Sequence, residues 1–237
     1  MKAIGGKGVY GASIGILMLD ARFPRIPGDM GHAGTWPFPV QYRLVRNATP
    51  DAVVRQGAPG LLDAFIEAAH DLVRHGVDGI TTNCGFLSLF QDELAEAVGI
   101  PVATSSLMQV EFVNRLLPRG KRAGILTISA STLTPAHLTK ARVPDGTPIG
   151  TTEGGREFTR AILGNELELD VALARQDNID AALALQKAHS DLGAIVLECT
   201  NMTPYADDIR RATSLPVFSI YNFICWFQQS LVPRTFP

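Results

Sequence analysis

Cysteine is scarce in this 237-residue chain. Three are present, an odd number with no close pair, which excludes a disulfide scaffold and points to a reducing compartment, so the chain reads as cytoplasmic. Charge is also sparse. Asp, Glu, Lys and Arg make up 19% of the residues and net to −2, with no basic stripe interleaved with aromatics, so no nucleic acid is expected as a partner. Long apolar runs are missing: the stretch Val9 to Leu19, behind Lys2 and Lys7, lacks an A-x-A cleavage site, is broken by Asp20 and Arg22, and reads as a buried strand. No other segment approaches bilayer length, so no membrane span is expected. Of five lysines none has a setting suited to pyridoxal phosphate. The five histidines, His32, His70, His75, His137 and His189, show no metal-ligand spacing, and His70 and His75 are expected on a helix surface. The expectation is no metal and no cofactor.

What is present is an apolar fraction of 46%, enough for an ordinary globular core in one large domain or two small ones. Short β-rich runs at 14–19, 40–45, 79–82, 102–104, 124–128, 194–197 and 217–220 alternate with helical periodicity. One such helix carries Leu61, Leu62, Phe65, Ile66, Ala69, Leu72 and Val73 and stops at Gly76; another starts at Asn178. Alternation of this kind predicts an α/β protein with parallel sheets.

The chain also repeats itself. Cys84 and Cys199, Asp92 and Asp207, and Pro101 and Pro216 are each 115 residues apart, and Ile14-Gly15-Ile16-Leu17 resembles Ala123-Gly124-Ile125-Leu126 at an offset of 109. Two α/β lobes on one plan follow, at 1–105 and 106–220. Two stretches resist this scheme. The Gly- and Pro-rich segment 20–39 follows the first strand, where loops meet ligands, and is a candidate active-site loop containing Arg22, Arg25, His32 and Thr35. The segment 144–177 belongs to the second lobe without a clear element.

Two motif matches fail on context. Gly6-Lys7-Gly8-Val9-Tyr10-Gly11 fits G-x-G-x-x-G but precedes the first strand, and Gly11-Ala12-Ser13-Ile14-Gly15 fits G-x-S-x-G but a strand follows its serine. The cysteine pair is different. Cys84 and Cys199 each follow an apolar strand and precede a helix start, read from a Ser88–Gln91 capping box and from Thr203-Pro204. A helix N-terminus lowers a thiol pKa, and half-ionisation at neutral pH needs a shift worth roughly 2 kcal/mol, about the most such a terminus supplies. One thiolate and one thiol at the rims of a cleft between the lobes would remove a proton from carbon on one face and return it on the other. Cys225 has no repeat counterpart and reads as core.

At these residues the sequence resembles the aspartate/glutamate racemase superfamily, which includes hydantoin racemases, maleate isomerases and arylmalonate decarboxylases. The likeness runs through Ile14-Gly15-Ile16-Leu17, Asn83-Cys84 and Glu198-Cys199-Thr200-Asn201, and covers nearly the whole chain. It implies two flavodoxin-like lobes with the active site between them, and a C-terminal helix, 221–237, packed back on the first lobe. It also implies a cofactor-independent racemase or epimerase acting on an amino acid or its derivative, with Cys84 and Cys199 as acid and base. The substrate partner would be a small carboxylate, held by Thr200 of the Cys-Thr pair, by Asn83 or backbone N–H groups at Gly85 and Phe86, and by Asn201, Ser88, Thr203 or Arg25. The sequence departs from glutamate racemases at Asn201, where they carry histidine, and at Met18, where they carry aspartate. This points away from glutamate and leaves a small or apolar side chain, or a related 2-substituted acid, open. An isomerase or decarboxylase of the same superfamily and a non-catalytic carboxylate-binding protein stay open as alternatives, as does homo-oligomerisation.

Overall fold

The computed structural model describes residues 2–236. Ile14–Leu19 (β1) is apolar and buried at every position, as a parallel strand covered on both faces must be. Beside it run Val40–Val45 (β2), half exposed at the sheet edge, and, after helix Leu62–His75 (α1), strand Gly79–Thr82 (β3). Gln91–Val98 (α2) and Val102–Ala103 (β4) complete the first lobe, and Val110–Leu116 (α3) packs against the first strand of the second.

The second lobe runs Arg122–Thr127 (β5), Pro135–Lys140 (α4), Ile149–Thr151 (β6), Phe158–Leu163 (α5), Val171–Ala188 (α6), Leu192–Leu197 (β7), Ala206–Thr213 (α7) and Val217–Phe218 (β8). A final helix, Ile220–Leu231 (α8), ends short of the 237 expected, and 232–236 are irregular. Both sheets are wholly parallel and share one order, β2-β1-β3-β4 and β6-β5-β7-β8. This is the flavodoxin-like order, and the α/β class with two parallel lobes is the one the repeat implied. The register repeats as well: Leu17 pairs with Thr82 and Leu126 with Leu197. On α8, Ile220, Ile224 and Phe227 share a core with Ile14, Ile16 and Met18 of β1.

Several boundaries differ from the sequence reading. The strand expected from Val9 begins at Ile14, and Val9 and Tyr10 are exposed in irregular chain. Residues 219 and 220 are not strand, because Ser219 forms a capping box with Asn222 and starts α8. The long second-lobe helix begins at Val171, not Asn178, because the Asp170 side chain accepts the Ala172 and Leu173 N–H groups and caps it there. Strand β6 and helix α5 lie in the segment that had shown no clear element.

Candidate active site

Both cysteines stand just past the carboxyl ends of equivalent central strands, β3 and β7. After each comes a 3₁₀ turn, Gly85–Phe90 and Thr200–Tyr205, with the cysteine itself in the capping position. The expected helix starts at Ser88 and Thr203 therefore lie one turn too late. Ser88 is interior to its turn, and its hydroxyl donates to the His137 carbonyl at 3.1 Å instead of capping.

Cys84 and Cys199, 8% and 6% exposed, line one narrow cavity between the lobes. Asn83, Gly85, Phe86, Thr200 and Asn201 line it too, whereas Ser88, Thr203 and Arg25 do not. The rest of the wall is apolar: Leu19, Phe23, Pro50, Val54, Ile128, Ile162 and Leu163, with Glu198 as the charged member. Sequence reasoning passed over these. Leu19 and Ile128 were within reach, since Leu19 ends β1 and Ile128 directly follows β5, at the same 109-residue offset as the strands themselves. Cys225 is half-buried on α8, away from the cavity.

The polar groups are tightly assigned. Thr200 Oγ1 donates to the Asn83 carbonyl at 2.6 Å, so its proton holds the two strand ends together and is not free for a ligand. Asn83 Oδ1 accepts the Leu19 N–H at 2.7 Å, which leaves its Nδ2 hydrogens as the donors on offer. Cys199 Sγ donates to Asn201 Oδ1 at 3.6 Å, and Asn201 Nδ2 donates to the buried Asp29. Asp29 also accepts from Arg25 Nη1 at 2.8 Å and from the Gly31 N–H at 2.7 Å. The loop 20–39 thereby reaches the second cysteine through Asp29. It also touches the second lobe through the Arg22 N–H, which donates to Asn165 Oδ1 at 2.6 Å. Arg25 stacks its guanidinium over Phe23, 4.7 Å from the ring centroid, and its Nη2 is buried with no hydrogen-bond partner.

The electrostatics run opposite to the expectation for the thiols. Burial pushes both pKa values up, and the Glu198 carboxylate between the two motifs pushes them further. The Phe86 and Leu87 N–H groups favour a thiolate at Cys84, as does the Arg25 charge; the Asn201 N–H does the same at Cys199. These turn ends supply the expected field, but desolvation exceeds it. The resting site holds two thiols. Cys84, with two N–H groups and a cation favouring its anion, is the better-supported thiolate. Among the described residues no group of three or more His, Cys, Asp or Glu is arranged to hold a metal.

No family model matches the chain. A dimethylsulfoniopropionate lyase from Durusdinium sp. clade D is 30% identical over 224 residues, covering 87% of this chain and 71% of that protein. Dimethylsulfoniopropionate lyase 6 of Emiliania huxleyi is 31% identical over 215 residues; the chain spans only 56% of its length. Among solved structures, allantoin racemase from Klebsiella pneumoniae superposes with a TM-score of 0.62 at 18% identity, covering 93% of this chain and 88% of that one. Unliganded arylmalonate decarboxylase gives 0.54 at 16%, covering 94% and 93%. These structural likenesses carry the fold.

Proposed function

We propose, for a chain that belongs to the aspartate/glutamate racemase superfamily and to the family of the dimethylsulfoniopropionate lyases, that it is a lyase working by thiolate-driven elimination next to a carboxylate. Dimethylsulfoniopropionate carries its sulfonium on carbon 3 and acidic hydrogens on carbon 2. A thiolate at Cys84 takes a proton from carbon 2, the electron pair forms the carbon–carbon double bond, and the carbon–sulfur bond breaks. The products are acrylate, dimethyl sulfide and the Cys84 thiol, which later gives its proton to solvent. Asn83 Nδ2 is the side-chain donor on the wall suited to the carboxylate, and the apolar wall suits the two methyl groups. The observation that carries this reading is the pair of cysteines on one largely apolar cavity in a chain 30% identical to a lyase.

The second thiol favours another reading. Elimination needs one base, whereas inversion of an α-carbon uses a base and an acid on opposite faces, and Cys199 supplies that second group. Racemisation of an amino acid or amino-acid derivative is this reading, with Cys199 as the proton donor.

The test is direct. The protein is incubated with dimethylsulfoniopropionate while headspace dimethyl sulfide and dissolved acrylate are measured, and separately with pooled amino acids and hydantoins in heavy water. Dimethyl sulfide and acrylate in equal amounts, lost in Cys84→Ser, support the lyase. Deuterium at an α-carbon without dimethyl sulfide replaces it with the racemase.

A further inference from the structure

The second lobe carries a charge where the first carries none. Asn83 and Glu198 occupy equivalent positions, each directly before its cysteine. Asn83 accepts the Leu19 N–H, and the N–H of Ile128, the counterpart of Leu19, stabilises the Glu198 carboxylate. A neutral amide suffices for this tie in the first lobe, so the tie does not explain the charge in the second.

Glu198 is 0% exposed. Its Oε2 accepts from Thr127 Oγ1 at 2.7 Å, and its Oε1 is buried with no hydrogen-bond partner. That free oxygen faces Gly85 across the cleft, so closely that a Cβ there would stand 2.2 Å from it. Glu198 and Gly85 both line the cavity shared by the cysteines. Its hydrogen-bonding partners among the described residues are a hydroxyl and an amide, both neutral. A buried carboxylate with an open oxygen and no cation beside it is costly unless something positive arrives.

Resting on the lyase reading, we propose that Glu198 is the cation selector of the site, its carboxylate holding the positively charged onium group at carbon 3 of the substrate. The same contact has a second effect. The Glu198 charge adds to burial in holding both thiols in the protonated form, and an onium group between them offsets that charge. The cost of forming the thiolate therefore falls when an onium substrate is bound, and a carboxylate of the same shape without the onium charge gives no such relief.

Two probes separate charge from shape: 3-(trimethylammonio)propionate, whose amine is a poor leaving group, and 4,4-dimethylpentanoate, its isostere without the cationic centre. Binding of each is measured by calorimetry to the wild type, Glu198→Gln and Glu198→Asp, with thermal unfolding of each variant as the check on folding. The wild type is expected to bind the onium probe at least ~10-fold tighter than the isostere, Glu198→Gln to lose that preference, and Glu198→Asp to keep part of it. Equal preference in the wild type and Glu198→Gln overturns the proposal. So does a wild type with no preference, a comparison that needs no variant to fold. The lyase reading fails separately, when no dimethyl sulfide is released although the onium preference is intact.

Discussion

Thr200 Oγ1 donates to the main-chain carbonyl of Asn83 at 2.6 Å, joining the residue after one cysteine to the residue before the other. Both partners are buried, so this bond fixes how the two lobes present their cysteines to the cavity. Replacing Thr200 by Val keeps the shape and leaves the Asn83 carbonyl without that donor. The expected loss is about 1–3 kcal/mol of stability in chemical denaturation. Turnover falls with it, and Thr200→Ser recovers both.

Gly85 cannot carry a side chain. A Cβ there would meet Glu198 Oε1 at 2.2 Å and the Glu198 carbonyl at 2.3 Å, and the second of these is backbone. Gly85→Ala is expected to destabilise by about 1–3 kcal/mol and to spread the cleft. Differential scanning calorimetry and a turnover assay on the same sample check both effects.

The thiols set the response to pH. Because burial and Glu198 raise both cysteines above the ordinary thiol range, iodoacetamide labelling of Cys84 and Cys199 is expected to be slow near pH 7 and to climb about tenfold per pH unit through pH 9. Mass spectrometry of the labelled peptides reads this directly. In the same interval kcat/KM rises without a descending limb, since the free protein must form a thiolate. Cys84→Ser is expected to lower kcat by roughly 10²–10⁴-fold.

Glu198 links pH to stability. Burial raises its pKa from 4.5 to about 7, so the folded chain binds a proton that the unfolded chain has released between those values. The sign follows: its contribution is fully present below about pH 4.5 and is lost as pH rises through about 7, a change of roughly 3 kcal/mol. Urea denaturation at pH 5 and pH 8 should show this drop in the wild type beyond that in Glu198→Gln.

Asn83 carries the prediction for the carboxylate. Its Oδ1 is engaged by the Leu19 N–H, which leaves Nδ2 for a ligand in the cavity it lines. Asn83→Asp keeps the acceptor and removes the donor, and is expected to raise KM by about tenfold or more with a smaller change in kcat, because the lost contact is made to substrate and transition state alike. Steady-state kinetics over a wide substrate range separates the two parameters.

Strands β1 and β7 and the duplicated cysteine motifs were legible in the sequence because buried parallel strands are continuous apolar runs and a repeat leaves a constant offset. Strand β6 was not: its three residues include Gly150 and are only half-buried, giving neither an apolar run nor an alternation. Helix α6 was legible only from Asn178 because its buried face is made of Ala174, Ala181 and Ala182 with Asp177 and Asn178, which blurs the periodicity. The thiol pKa direction was misread for another reason. A helix start shows in the sequence, but the depth at which the cysteines and Glu198 sit does not, and depth decided the sign. Arg25 and Asp29 lie in a loop without periodicity, and only the folded chain brings Asp29 to Asn201.

Two lobes with identical strand order bring equivalent strand ends, each bearing a cysteine, to one cavity. Their neighbours are not equivalent: Asn83 matches Glu198, Gly85 matches Thr200 and Phe86 matches Asn201 at the repeat offset. A zwitterionic guest therefore meets a cleft with a head and a tail, which selects one way of lying in it.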